Sequence, residues 1–160
     1  MAKIAGAYTA TYTPAGGSAG SAFTSETGFH LIETMHHQNV ADDAYGDVPV
    51  DGIQQGCTVM VRFEYIDYDL VLPAIYAQNT QGSSNANVGK TLSGLAGLLL
   101  LTAVTGTPAH ATGLGITYTF YKAIVVGDLD TLLSSKLRKG PLTFQCFPDP
   151  GHSNLPYAVT

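Results

Sequence analysis

Residues Cys57 to Tyr68, CTVMVRFEYIDY, set Cys57, Val59, Val61, Phe63 and Tyr65 at every second position, with Thr58, Met60, Arg62 and Glu64 between them. Successive side chains of a strand point to opposite sides, so this period of two predicts a strand with one side on a core. The segment Gly28 to His37, GFHLIETMHH, alternates less cleanly: Phe29, Leu31, Glu33 and Met35 oppose His30, Ile32, Thr34 and His36. A strand with two covered or half-covered faces fits it best. Paired as a hairpin, the two segments present one mainly apolar face and one polar face bearing His30, Thr34, His36, Thr58, Arg62 and Glu64. That polar face must meet water or another subunit.

The same period recurs along the chain. Ala5 to Tyr12 (AGAYTATY), Ile116 to Val126 (ITYTFYKAIVV) and Leu142 to Phe147 (LTFQCF) read as strands, and Thr91 to Val104 reads as a buried strand or strand pair, with a helix as the alternative. Asp69 is placed to cap a two-turn helix over LVLPAIYAQN, with Pro73 near its first turn. Gly, Ser, Pro and Asn cluster in between, predicting loops at about 13–27, 38–56 and 79–90. Gly46, Pro49, Gly52 and Gly56 make the middle one too broken for a continuous ladder, and Pro148 and Pro150 end the last strand before an irregular C-terminal arm, 148–160. The expectation is one domain over residues 1–160, mainly β: a small barrel or sandwich of six or seven strands with one short flanking helix.

Charged residues make up 12% of the chain, about half of the ~25% usual in soluble domains, so much of the surface is expected to be covered. The formal balance is −5, and the seven bases never form a long run; Lys136, Arg138 and Lys139 are the one cluster, read as a solvated strand entrance. A basic groove for phosphate is excluded. The longest apolar run, Leu92 to Val104, is shorter than the ~20 residues a membrane-spanning helix needs and is interrupted by Gly94 and Gly97. Met1 to Tyr12 lacks a continuous apolar stretch of signal-peptide length. Cys57 and Cys146 both fall in apolar alternating segments and are expected as buried free thiols.

Chemistry-bearing patterns are weak. VGKT at Val88 to Thr91 lacks the phosphate-loop spacing, because Gly82 stands six residues before Gly89. His36 and His37 are adjacent and point to opposite faces of a strand, which does not build a metal site. Glu33 and Glu64 fall on different faces and cannot act as a carboxylate pair. No GxSxG turn is present, and Asp42, Asp43, Asp47 and Asp51 lack calcium-loop spacing. Neither a catalytic residue nor a cofactor or metal site is expected, and the protein is read as a non-enzyme.

Four phrases together resemble the tail tube proteins of long-tailed bacteriophages. GAYTATY at Gly6 to Tyr12 resembles their opening strand. GFHL at Gly28 to Leu31, followed by DAYGDVPVDGIQQG at Asp43 to Gly56, is similar to their next strand and its acid, Tyr-Gly-Asp and Asp-Gly-Ile loop. SSKLRKGPLTFQCFPDP at Ser134 to Pro150 looks like their closing strand. The resemblance covers most of the chain except Gln81 to Gly115. It implies a virion protein, assembled in the host cytoplasm, whose subunits form rings, usually six-fold, that stack into a hollow tube. Its partners would be identical copies, the tape-measure and terminator proteins and possible sheath subunits, with DNA in transient, non-specific passage and no membrane insertion.

Under that reading the bore-lining face is His30, Thr34, Thr58, Arg62 and Glu64, and the loop residues Asp43, Tyr45, Gly46, Asp47, Asp51 and Gly52 make the contact between rings or subunits. Six copies at −5 each give −30 around a bore, which repels phosphate and lets DNA slide. The alternatives are a capsid cement or head-completion protein, a small-ligand-binding β-barrel, and, ranked last, an enzyme.

Overall fold

The computed structural model describes residues 7–41, 43–46, 48–66, 89–106, 117–127 and 140–160. The helix expected after Asp69 and the basic cluster Lys136, Arg138 and Lys139 lie outside the described residues. The described residues form seven strands: β1 Tyr8–Thr13, β2 His30–Ala41, β3 Pro49–Tyr65, β4 Gly97–Ala103, β5 Thr117–Val125, β6 Gly140–Phe147 and β7 Tyr157–Val159. All pair antiparallel in one sheet of order β1-β4-β5-β6-β3-β2, with β7 on β5 beside the end of β6. The described α-helix, α1, is the single turn Leu92–Leu95; Thr91 caps it by accepting from the Gly94 amide, so the threonine that suggested a phosphate loop is a helix cap. No helix among the described residues is long and apolar enough to cross a membrane.

The core shows how the sheet is bent. Tyr12 of β1 and Phe144 of β6 stand three strands apart, some 14 Å in a flat sheet at ~4.8 Å per strand, yet their ring centroids are 5.3 Å apart. The sheet is therefore curled over its own inner face. There, Ala10, Val59, Val61, Phe63, Tyr65, Leu99, Leu101, Phe120, Val125, Leu142 and Phe144 form one buried cluster. Each large member contributes about 1.5–3 kcal/mol by leaving water.

The expected barrel is not closed. β1 and β2 end the sheet without a ladder between them, and the segment between them crosses the seam with two isolated bridges, Phe23 to Ala10 on β1 and Ser25 to Tyr65 on β3. The Phe23 and Ala10 amides exchange hydrogen bonds of 2.9 and 2.8 Å, and Glu26 N donates to Glu64 O at 3.1 Å. A Gly- and Ser-rich stretch has no second row of apolar side chains with which to continue the pairing. Its one large apolar anchor, Phe23, is buried and stacks on Phe63 at 5.5 Å.

A bulge in β5 sets Tyr121 and Lys122 opposite the single residue Leu98, between the pairs Gly97–Ala123 and Leu99–Phe120. The Tyr12 hydroxyl fills the gap in the ladder, accepting from Gly97 N at 3.2 Å and donating to Ala123 O at 3.1 Å. Burial raises its pKa to about 12. Gly97 is required for this approach, since a Cβ there would collide with Thr13 O and the Tyr12 ring.

Two loop expectations are corrected. Residues 38–41 and 49–56 are strand, so the middle connection shrinks to 42–48. Of the supposed breakers, Gly56 and Pro49 flank the two register shifts, His36/His37 and Val40/Ala41, Gly52 pairs regularly with Asn39, and Gly46 stays in the turn. Gly56 takes φ +149° at the first of these shifts, and Pro49 is the first residue of its strand, where no ladder donor is needed. The C-terminal arm is also an element of the sheet: Asp149 caps a 3-10 turn at Pro150–His152 and bridges to Leu155, returning the chain so that β7 completes β5. Both cysteines are free as expected, but only Cys146 is buried; Cys57 is exposed, because β3 has left the body of the sheet there.

Candidate functional site

β6 covers β3 only from Val59 to Tyr65. Beyond that, β2 and β3 continue alone among the described residues, and from Glu33 to Ala41 and from Pro49 to Cys57 every residue is exposed. At ~3.3 Å per residue, the stretch from Glu33, opposite Val59, to Ala41 carries this two-stranded arm about 26 Å past the last covered pair. Isolated two-strand ribbons are marginally stable in water. This one is knitted by His36 Nε2 and Thr58 Oγ1 at 2.7 Å and by Gln55 Nε2 donating to Gln38 Oε1 at 3.1 Å. It nevertheless exposes Met35, Val40, Val48, Val50 and Ile53, between 38% and 62% each. Over residues 35–57 the chain carries four aspartates and neither lysine nor arginine.

The register brings the polar face together. His30 lies opposite Arg62 and Thr34 opposite Thr58, while Glu64 follows Arg62 by two positions on the same side. Thr143 and Gln145 of β6 extend the face, opposite Arg62 and Met60. His30, Thr34, Arg62 and Glu64 are exposed and Thr58 is half-buried. Arg62 thus has His30 and Thr143 as its cross-strand neighbours rather than Glu64.

The residues assigned to an inter-ring loop separate into two groups. Asp43 and Tyr45 bound a 3-10 turn at the tip of the arm, with Gly46 following it. Asp51 and Gly52 are strand residues of β3, opposite Val40 and Asn39, and the Asp51 carboxylate accepts from the Gly52 amide at 2.7 Å. Asp47 lies outside the described residues. Among the described residues no cluster of His, Cys, Asp and Glu could hold a metal.

Sequence reading missed a cleft of about 140 Å³ at the seam of the sheet, lined by Tyr8, Phe29, Leu31, Leu101, Tyr118 and Phe120. Tyr8 and Tyr118 meet edge to face at 5.9 Å on one wall, and Phe29 leans on Phe63 at 4.9 Å on the other. The aromatic alternation at Tyr118 and Phe120 was visible in the sequence; that β1 and β2 meet across this gap was not. Beside it, the Tyr157 hydroxyl donates to Glu33 Oε1 at 2.6 Å, tying β7 to β2. That bond to a carboxylate, with burial, raises the phenol to about 12.

Asp149 forms a second clasp. Its Oδ2 lies 2.6 Å from His152 Nδ1, its Oδ1 accepts from Gly151 N at 3.3 Å, and Lys122 Nζ stands 3.7 Å away. His152 in turn stacks on Tyr121 at 3.7 Å. The His152 bond above all, then the Gly151 amide and Lys122, hold the Asp149 carboxyl below its ordinary 3.8. A carboxylate depressed in the folded state stabilises above its unfolded pKa, and the effect is lost as pH falls through the folded value. The Thr160 amide, which donates to Thr117 O, is therefore expected to exchange faster, relative to its intrinsic rate, once the pH drops below about 4. In an Asp149→Asn protein it should exchange fast at every pH; unchanged protection in both cases would remove the clasp from the account.

No protein-family model matches the chain, and no curated protein is recognisably similar to it in sequence.

Proposed function

We propose that the protein is a structural, self-assembling virion subunit: a phage tail tube protein whose copies form rings, six to a ring, stacked around a conduit for DNA. The observation that carries this reading is the β2–β3 arm, a ribbon that buries nothing within its own chain while holding five large apolar side chains in water. Exposed apolar surface of this kind marks an interaction site, and the low charge of the chain points the same way. The tail-tube resemblance of the sequence supplies the architecture. In the assembled tube His30, Thr34, Thr58, Arg62 and Glu64 face the bore, and the arm tip with Asp43, Tyr45 and Gly46 reaches another subunit.

Negative-stain microscopy of the purified protein tests it: tubes or stacked rings are expected. Shells or lone rings would transfer the protein to the cement or head-completion class. A second reading, a small-ligand module, is favoured by the aromatic cleft, and a protein that stays single at high concentration with a ligand in that cleft would replace the assembly account.

The bore assignment has its own test. Glu64→Lys removes one negative and adds one positive charge per copy, moving a six-copy ring from −30 to −18 and placing the new charge beside Arg62. Wild-type tubes should not retain duplex DNA in a filter assay. The variant tubes should retain it at about 50 mM salt and release it by about 200 mM, as expected of phosphate contacts. Equal behaviour of the two would take Glu64 off the bore.

A further inference from the structure

The fold leaves two apolar surfaces in water, at opposite ends of one strand. At the start of β2, Phe29 and Leu31 form a wall of the aromatic cleft. At its far end Val40, 38% exposed, lies diagonally across the ribbon from Ile53, 58% exposed, because Gln38 pairs with Ile53 and Val40 with Asp51. Nine residues of extended strand hold Val40 about 30 Å from Leu31, so the tip cannot fold back into the cleft of its own chain. A second copy has no such restriction. We propose that the arm tip seats in the aromatic cleft of a neighbouring copy, with Ile53 as the inserted anchor and Val40 beside it. This rests on the self-assembly reading above and names the two surfaces through which assembly runs.

Size and chemistry agree. The cleft, about 140 Å³, is close to the ~150 Å³ apolar cavity that accepts a benzene-sized guest, the scale of one branched aliphatic side chain. Among the described residues that line it none is charged. The tip is acidic, with Asp43 and Asp51 and no base nearby, which opposes docking on anionic lipid or nucleic acid but not on a neutral protein cleft. The contact is also heterologous. Each copy offers one tip and one cleft, and such contacts propagate into rings or filaments instead of stopping at a dimer.

The test uses full-length chains carrying Cys57→Ser, so that the exposed native thiol is gone; Cys146 is buried, with its thiol pushed up to about 12, and stays out of the reaction. One chain carries Ile53→Cys and the other Leu31→Cys, with Tyr118→Cys as a second cleft position should Leu31→Cys fold poorly. The two are mixed and oxidised in air with copper phenanthroline. A disulfide joining the two different chains is expected at least tenfold above either chain alone. Ile53→Asp in the native chain should keep its thermal stability and weaken association by about 30-fold, the scale of one anchor residue. If the wild type assembles while the mixture gives no excess of mixed dimer and Ile53→Asp assembles normally, the tip–cleft contact is wrong and self-assembly stands. Crosslinking of Ile53→Cys chains mainly to each other would likewise overturn it in favour of an arm-to-arm contact. A wild type that stays monomeric removes both this contact and the reading beneath it.

Discussion

Phe23→Ala is expected to lower the unfolding free energy by about 3–5 kcal/mol, the range for emptying a buried phenylalanine site. Domains of this size are stable by about 5–15 kcal/mol, and at about 2–4 °C per kcal/mol the melting temperature should fall by about 6–20 °C. The magnitude follows from position. Phe23 is 1% exposed, stacks on Phe63, and its backbone supplies two of the three hydrogen bonds that hold the 20–26 segment to β1, the third running from Gly20 N to Tyr12 O. Removing the ring both leaves a cavity and unpins the segment that crosses the open seam. Phe29→Ala, half-buried on the cleft wall, should cost clearly less. Urea denaturation of the three proteins separates the cases, and equal midpoints for wild type and Phe23→Ala would show that the seam is held by something else.

Shortening the arm has the opposite profile. Replacing residues 37–55 by Asn-Gly closes His36 onto its register partner Gly56 through a two-residue turn of the type hairpins prefer. Because the removed stretch buries nothing in its own chain, the melting temperature should change by no more than a few degrees. Association should weaken by more than about 100-fold, since Val40, Val48, Val50 and Ile53 go together and a single interface anchor is worth about 2 kcal/mol or more. Light scattering against concentration reads the association and circular dichroism the fold. Full assembly by the shortened chain would mean that the arm is not the connecting element.

The strands that form the core were legible because period two survives wherever one face is buried. Val59, Val61, Phe63 and Tyr65, and Leu142, Phe144 and Cys146, alternate in sequence as they do in the structure. The shared face of His30, Thr34, Thr58 and Arg62 followed from the same rule once the hairpin register was assumed. The arm was not legible, because a ribbon exposed on both sides puts no constraint on its side chains, and Pro49, Gly52 and Gly56 read as breakers when they are a strand start, a regular partner of Asn39 and a bulge. β7 was hidden for a related reason: three residues give no period, and what fixes them is the Asp149 cap and the Tyr157–Glu33 bond. The cleft was beyond sequence reasoning, since Tyr8 and Leu31 become neighbours only through the curl of the sheet.

The claim on which the rest depends is that a lone chain leaves its arm and cleft unsatisfied, and sedimentation velocity of the wild-type protein over a hundredfold range of concentration tests it most directly. Species larger than one chain that grow with concentration and disappear on shortening the arm are expected; a single boundary at the mass of one chain throughout would overturn the assembly reading.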